Sequence, residues 1–195
     1  MDARDLARLL APHGVLPQAP LRQRPLTVVF PGVLVRTGRE VFVKVLTSPI
    51  DGVRHNFRRE IEILKALSGW RGTAALVASA AEDDFMFHAC ERVAGPSLDT
   101  LVGRKNANDL AVILLHTRGL ARRIRDLHRL GIAHRDLSPD HVFVGPRGAT
   151  TVVDFGMARR TLALSTAKRR LDEGYDVQAF GMILWEMICG RPLFP

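Results

Sequence analysis

The apolar residues of this chain change period near its middle, and that change limits the folds open to it. Before about residue 93 they alternate in short β-branched runs; beyond it they recur every three or four residues. Residues 26–30 read as a strand, Pro31-Gly32 as a turn, 33–35 as a second strand, Thr37-Gly38 as a second turn and 41–46 as a third strand. Together they make a three-stranded antiparallel meander. Residues 51–67 then carry Val53, Phe57, Ile61 and Leu64 on one helical face, and 74–80 and 85–90 read as two more strands around the acidic turn Glu82-Asp83-Asp84. Gly95-Pro96 breaks the pattern. A long helix over 109–130 follows, with Leu110, Ile113, Leu114, Leu120, Ile124 and Leu127 on one stripe. Two short strands (142–144, 151–153) lead to a last helix over about 176–188, closed by Gly190 with Pro192 behind it. Residues 1–24, Pro- and Arg-rich after a short amphipathic piece (Leu6, Leu9, Leu10), read as a loosely attached lead-in. The fold class is α+β: a five-stranded antiparallel sheet with one helix over 25–93, then a mainly helical part over 94–195.

The net charge of +8 admits a nucleic acid, an anionic membrane face or an anionic substrate as partner. Aromatic residues are only 6% and no nucleic-acid-binding signature is present, so nucleic acid is not expected. No apolar run approaches the roughly 20 residues that cross a bilayer. The start, Met1-Asp2-Ala3-Arg4-Asp5, lacks the charge and apolar pattern of a secretory signal. With two cysteines, Cys90 and Cys189, both in apolar surroundings, a reducing cytoplasm is the expected compartment.

Four groups of residues stand in linked positions. Lys44 lies in the third strand, within Val41-Phe42-Val43-Lys44, and Glu60 lies on the helix that follows. His134-Arg135-Asp136 comes after the long helix, and Asp154-Phe155-Gly156 ends a short strand 18 residues beyond Asp136. Singly each is unremarkable: Asp-Phe-Gly is usually a turn, and a strand lysine usually faces water. In this order, on these elements, the set resembles the protein kinase superfamily, with its strand lysine, helix glutamate, H-R-D-x-x-x-x-N loop and D-F-G. The likeness runs from about Leu26 to Phe194 and includes Asp176-Val177-Gln178-Ala179-Phe180-Gly181 and Leu184-Trp185-Glu186.

That resemblance implies a bilobal phosphotransferase using ATP and Mg²⁺ or Mn²⁺. Lys44 would charge-pair the α- and β-phosphates, Glu60 would hold the ammonium, Asp154 would ligate the metal and Asp136 would take or orient the proton of the attacking hydroxyl. Asp176 would brace the catalytic loop that starts at His134, and Arg135 would face the activation segment. The adenine would meet the backbone of Glu91, Arg92 and Val93, against Phe42, with Gly32 at the phosphate turn. The acceptor is a hydroxyl-bearing protein or glycan, and a monomer is expected.

Four departures from the family pattern matter. No G-x-G-x-x-G loop is present, only Pro31-Gly32. Phe42 stands where the family has a small Ala, which would narrow the room for adenine. His141 stands where the family has a metal-binding Asn, and imidazole suits transition metals better than Mg²⁺. Only 22 residues separate Asp154 from Asp176, with no A-P-E between them. An aromatic two residues before the lysine and a His in the Asn position resemble the bacterial lipopolysaccharide core heptose and Kdo kinases. Three functions follow: a compact Ser/Thr protein kinase, a kinase of lipid-linked sugar peripheral at an anionic membrane face, and a nucleotide-binding pseudokinase. Retention of Lys44, Glu60, Asp136 and Asp154 argues against the third, and Asp154-Phe155-Gly156 favours the first.

Overall fold

The computed structural model describes residues 3–18, 22–23, 25–82, 85–102 and 109–193. The chain divides into two compact units, Met1–Trp70 with Ala74–Arg92, and Arg71–Thr73 with Val93–Pro195. Among the described residues no helix is long and apolar enough to cross a membrane.

The first unit is a curled antiparallel sheet with two helices. Helix α1 (Ala3–Leu10) leads into β1 (Val15–Pro17), β2 (Arg22–Gln23), β3 (Thr27–Leu34) and β4 (Glu40–Leu46). Helix α2 (Asp51–Ala66), β5 (Leu76–Ala81) and β6 (Met86–Glu91) complete it. Five strands run in the order β1-β3-β4-β6-β5, and the two-residue β2 also pairs with β3. Strict alternation along β3 and β4 sends Val28, Phe30, Val41, Val43 and Val45 into one core with Phe87 and Ala89 of β6.

Two expectations fail here. Residues 3–18, part of the expected lead-in, are not loosely attached: Leu6 and Leu10 of α1 and Val15 of β1 are buried in this same core. Nor is Pro31-Gly32 a turn; both lie inside the continuous strand β3, opposite Phe42 and Val41 of β4. The Pro31 carbonyl accepts from the Gln18 N–H at 2.8 Å, so its missing N–H falls on the side away from β4. That is the stretch where pairing passes from β1 to β2, and the ladder loses nothing there. Gly32 has ordinary φ but no room for a side chain, since a Cβ would stand 2.9 Å from the Leu16 carbonyl oxygen. The expected count of five principal strands stands, but β1 supplies the first, and the two expected pieces 26–30 and 33–35 are one. The Thr37-Gly38 turn does join β3 to β4, with Gly38 at φ 67° donating its N–H to Leu34 at 2.8 Å.

The second unit is mainly helical. Helix α3 (Leu110–Arg129) starts where the Asp109 carboxylate accepts from the Ala111 N–H at 2.8 Å. Its buried stripe is Ile113, Thr117, Leu120, Ile124 and Leu127. Leu110 and Leu114, expected on it, are 63% and 56% exposed. After β7 (Ile132–Ala133) come a hairpin of β8 (Val142–Val144) and β9 (Thr150–Val152), then β10 (Arg159–Arg160), which pairs back with β7. The last helix, α4 (Thr166–Cys189), is a single 24-residue helix and begins ten residues earlier than the expected 176–188. Ser165 caps it by accepting from the Lys168 N–H. Ile183 and Met187 of α4 meet Leu120 and Ile124 of α3 and Val142, Val144 and Val152 of the hairpin in one core.

Candidate active site

In the first unit the site residues sit on the face of the sheet opposite the β3–β4 core. Because Val41, Val43 and Val45 point inward, Phe42 and Lys44 of β4 share the other face. On α2, Phe57, Glu60, Ile61 and Leu64 are buried, which carries Glu60 into the same layer. There Lys44 Nζ donates to both Glu60 oxygens, at 2.9 and 3.0 Å, with Glu60 only 2% exposed. A third member has no counterpart among the sequence expectations. His88, opposite Lys44 in the β4–β6 register, brings Nε2 to 3.2 Å from Glu60 Oε1. Burial works against charge on this imidazole, but the Glu60 carboxylate, together with the neighbouring Cys90 sulfur, outweighs it, and the pKa rises to about 9. No motif marks His88; the one signal in the sequence is its position on a strand that alternates in phase with Lys44.

The other expected nucleotide residues are placed separately. Phe42 is half-buried, opposite Pro31 and Cys90 on its two neighbouring strands. Glu91 pairs with Arg39 at 2.6 Å, and its backbone N–H donates to the Ala75 carbonyl at 2.8 Å. Val93 opens the second unit. Gly32, lying in mid-strand, provides no phosphate turn.

In the second unit the catalytic-loop residues hang from one buried carboxylate. Asp176 of α4, wholly buried, accepts three bonds: from the His134 N–H at 2.9 Å, the Arg135 N–H at 2.6 Å and His128 Nε2 of α3 at 2.7 Å. Arg135 has φ 67°, a conformation that costs a non-glycine residue about 1–3 kcal/mol and persists only where its surroundings dictate it. Its guanidinium Nε lies 3.1 Å from the buried Asp172, which also has Arg159 Nη1 at 3.7 Å, and it stands over the Tyr175 ring. The residue expected to face the activation segment is therefore held by α4.

His134 is fully buried; Nε2 faces the Val153 carbonyl at 3.0 Å and must carry the hydrogen that it donates. Burial lowers its pKa, so it is a neutral, structural imidazole packed 4.9 Å from the Phe155 ring. Asp136, the next residue but one, is exposed. Asp154, at φ 64°, sets its Oδ2 3.5 Å from His141 Nε2. His141 Nδ1 stands 2.8 Å from the Asp136 carbonyl and donates to it, which in the neutral ring leaves the Nε2 lone pair directed toward Asp154. Among the described residues no group of three or more His, Cys, Asp or Glu has metal-site geometry. A carboxylate and one imidazole nitrogen still fit a hexacoordinate dication that keeps waters and phosphate oxygens as its other ligands.

A sequence model described as a protein kinase domain matches residues 26–170, most of the chain. The chain belongs to the protein kinase family. Among its curated relatives, a putative cyclin-dependent kinase F-2 of Oryza sativa subsp. japonica is 32% identical over 82% of this chain and 57% of its own length. A probable serine/threonine-protein kinase of Corynebacterium efficiens is 29% identical over 85% of this chain and 29% of its own. The serine/threonine-protein kinase AfsK of Streptomyces griseus is 32% identical over 63% of this chain and 15% of its own. This kinase domain thus spans little more than half of the rice relative and under a third of the two bacterial ones. The matched region takes in Lys44, Glu60, His134-Arg135-Asp136 and Asp154-Phe155-Gly156, and ends at Arg170, the fifth residue of α4.

Proposed function

We propose that this kinase domain transfers the γ-phosphoryl group of ATP to a serine or threonine hydroxyl of a protein. The Lys44–Glu60 pair carries the reading. A buried ion pair is weak evidence for stability, because desolvation offsets most of the attraction. One held by two bonds at 2.9 and 3.0 Å speaks for a task that needs a fixed ammonium. Phosphoryl transfer needs that: its transition state spreads negative charge and asks of the protein little beyond position and countercharge.

Lys44 faces the α- and β-phosphates, with Glu60 holding its Nζ in place. Asp136 accepts the hydroxyl proton as the acceptor oxygen bonds to the γ-phosphorus and ADP departs. Asp154 and His141 would hold a Mg²⁺ or Mn²⁺ ion, which would supply positive charge to the phosphate oxygens. His134 and Arg135 hold the loop from beneath rather than touching substrate, their N–H groups fixed by Asp176. The named relatives are protein kinases, and this favours a protein over a glycan acceptor.

The test is an assay with γ-labelled ATP on the purified protein alone, with a generic protein substrate and with lipopolysaccharide. Label on serine or threonine, lost in Lys44→Met and in Asp154→Asn that retain wild-type circular dichroism, is expected. Label on the glycan, or none anywhere, refutes the reading. Replacing His141 by Asn should move the rate preference from Mn²⁺ toward Mg²⁺; an unchanged preference removes His141 from the metal site.

A further inference from the structure

Beside Lys44, which the kinase reading asks for, a second basic side chain meets Glu60. Lys44 Nζ reaches both of its oxygens, and His88 Nε2 approaches Oε1 from the adjacent strand at 3.2 Å. The three side chains occupy one layer, 16%, 2% and 9% exposed for Lys44, Glu60 and His88. The neighbours of His88 are few in kind. From α2 it meets the Glu60 carboxylate and the Phe57 ring, whose centroid lies 5.4 Å away. From its own strand Cys90 Sγ stands 3.8 Å from Nδ1; across β4 it faces Lys44, and across β5 the uncharged Ser79. Glu60 is the one carboxylate in this set.

The charges decide what such a cluster does. A lysine and a glutamate sum to zero and present an anion with a dipole. A protonated imidazole on the same carboxylate adds one positive charge to the layer that holds the Lys44 ammonium. This domain has no glycine-rich loop to wrap phosphates in backbone N–H groups, and Gly32, the residue nearest to one, is spent inside a strand. A second buried cation is another way to hold a polyphosphate.

We propose that His88 is a positioning residue of the nucleotide site: as an imidazolium it shares Glu60 with Lys44 and adds one positive charge to the layer that faces the polyphosphate of a nucleotide. This rests on the reading of Lys44 as the phosphate-binding lysine. The pH window follows from a pKa raised from 6.5 to about 9. A group raised on folding contributes fully below its unfolded value and loses its contribution as pH rises through its folded value. The charge is therefore in place through the neutral range and disappears above pH 9.

Binding of ADP and of inorganic tripolyphosphate, measured by calorimetry from pH 7 to 10, tests this without turnover. His88→Gln keeps a hydrogen-bond donor toward Glu60 but removes the charge; His88→Lys restores it. Wild-type affinity for both ligands should hold from pH 7 to 8 and then fall roughly tenfold more than that of His88→Gln by pH 10, the size expected for one partly screened charge. At pH 7.5 His88→Gln should bind roughly tenfold more weakly than wild type, with His88→Lys between the two. Equal affinity of wild type and His88→Gln at pH 7.5 overturns the proposal.

Should the variants not fold, the wild-type protein decides alone. The His88 imidazole, followed by NMR, should titrate near pH 9 and move higher when ADP is added, because a bound anion favours the charged ring. Titration below pH 7, or no movement with ADP, overturns the proposal. Failure of the kinase reading looks different: wild type then binds neither ligand at any pH, Lys44→Met changes nothing, and the inference falls with it.

Discussion

Replacing Asp176 by Asn is expected to cost this domain about 3–5 kcal/mol while changing its volume hardly at all. The number follows from which oxygen takes which donor. Oδ2 accepts from the His134 N–H and from His128, and Oδ1 accepts from the Arg135 N–H. An amide has one acceptor oxygen. Placed at Oδ2, it keeps two donors satisfied and sets an NH₂ against the Arg135 N–H; the reverse placement orphans two donors. The better choice leaves one buried donor unpaired, about 1–3 kcal/mol, and converts two charge-assisted bonds to neutral ones at about 1 kcal/mol each. His128→Phe removes one bond without orphaning a backbone group and should cost about 1 kcal/mol. Asp176→Ala orphans all three donors and should exceed both. Urea unfolding measures the series, and with two compact units two transitions are expected. The loss belongs to the unit that holds Trp185, and a Trp70→Phe background isolates its fluorescence. Arg135 should also leave φ 67° once its N–H is free, so kcat falls with stability. An Asn variant no less stable than His128→Phe would refute the account of Asp176 as the fastening of the loop.

Two further outcomes follow. His134 is buried and its pKa is lowered, so folding favours its neutral form; that contribution is present above about pH 6.5 and lost as pH falls below it. Thermal midpoints should therefore drop between pH 7 and 5, and His134→Phe should flatten the slope; an unchanged slope assigns the acid loss elsewhere, His116 being the other histidine lowered by burial. Gly119→Ala should destabilise by about 1–3 kcal/mol despite alanine's advantage of about 1 kcal/mol in a helix, because its Cβ would meet the Thr150 hydroxyl and the Gly148 carbonyl oxygen. Gly181→Ala on α4, where a Cβ meets nothing within 4 Å, should instead raise the thermal midpoint.

How much of this was legible in the sequence depended on how many residues carried each signal. The helix around Glu60 was readable because Val53, Phe57, Ile61 and Leu64 span three turns. The placing of Lys44 on a strand beside the helix of Glu60, and of Asp136 and Asp154 on loops after α3 and β9, was readable because four motifs in fixed order leave few alternatives. Helix α1 and strand β1 were not: eight and three residues are too few for a period to stand out from a proline-rich surrounding. Pro31-Gly32 misled because the same dipeptide that turns a chain in water also fits a strand where a ladder is interrupted and a neighbour's carbonyl comes close. The first half of α4 was missed because Ala167, Lys168, Arg169, Arg170 and Glu173 give no apolar stripe; Ser165 as a cap was the sole cue. His88 lay beyond any motif, since its partner is set by strand register and not by spacing along the chain.

The unbroken course of α4 has a consequence for how sequences of this kind can diverge. Asp172 holds the side chain of Arg135 and Asp176 holds its backbone N–H, from positions four residues apart on one helix. That spacing brings them to one face, about 6 Å apart along the axis. Inserting or deleting a single residue between them would turn one carboxylate by about 100° and withdraw it from its partner. Gly174, exposed and with open space around an added Cβ, is open to exchange, but the length of the segment is not. Drift in length belongs to residues 162–164, between β10 and the Ser165 cap. Aligned relatives that keep both aspartates should gather their gaps there and show none between 172 and 176.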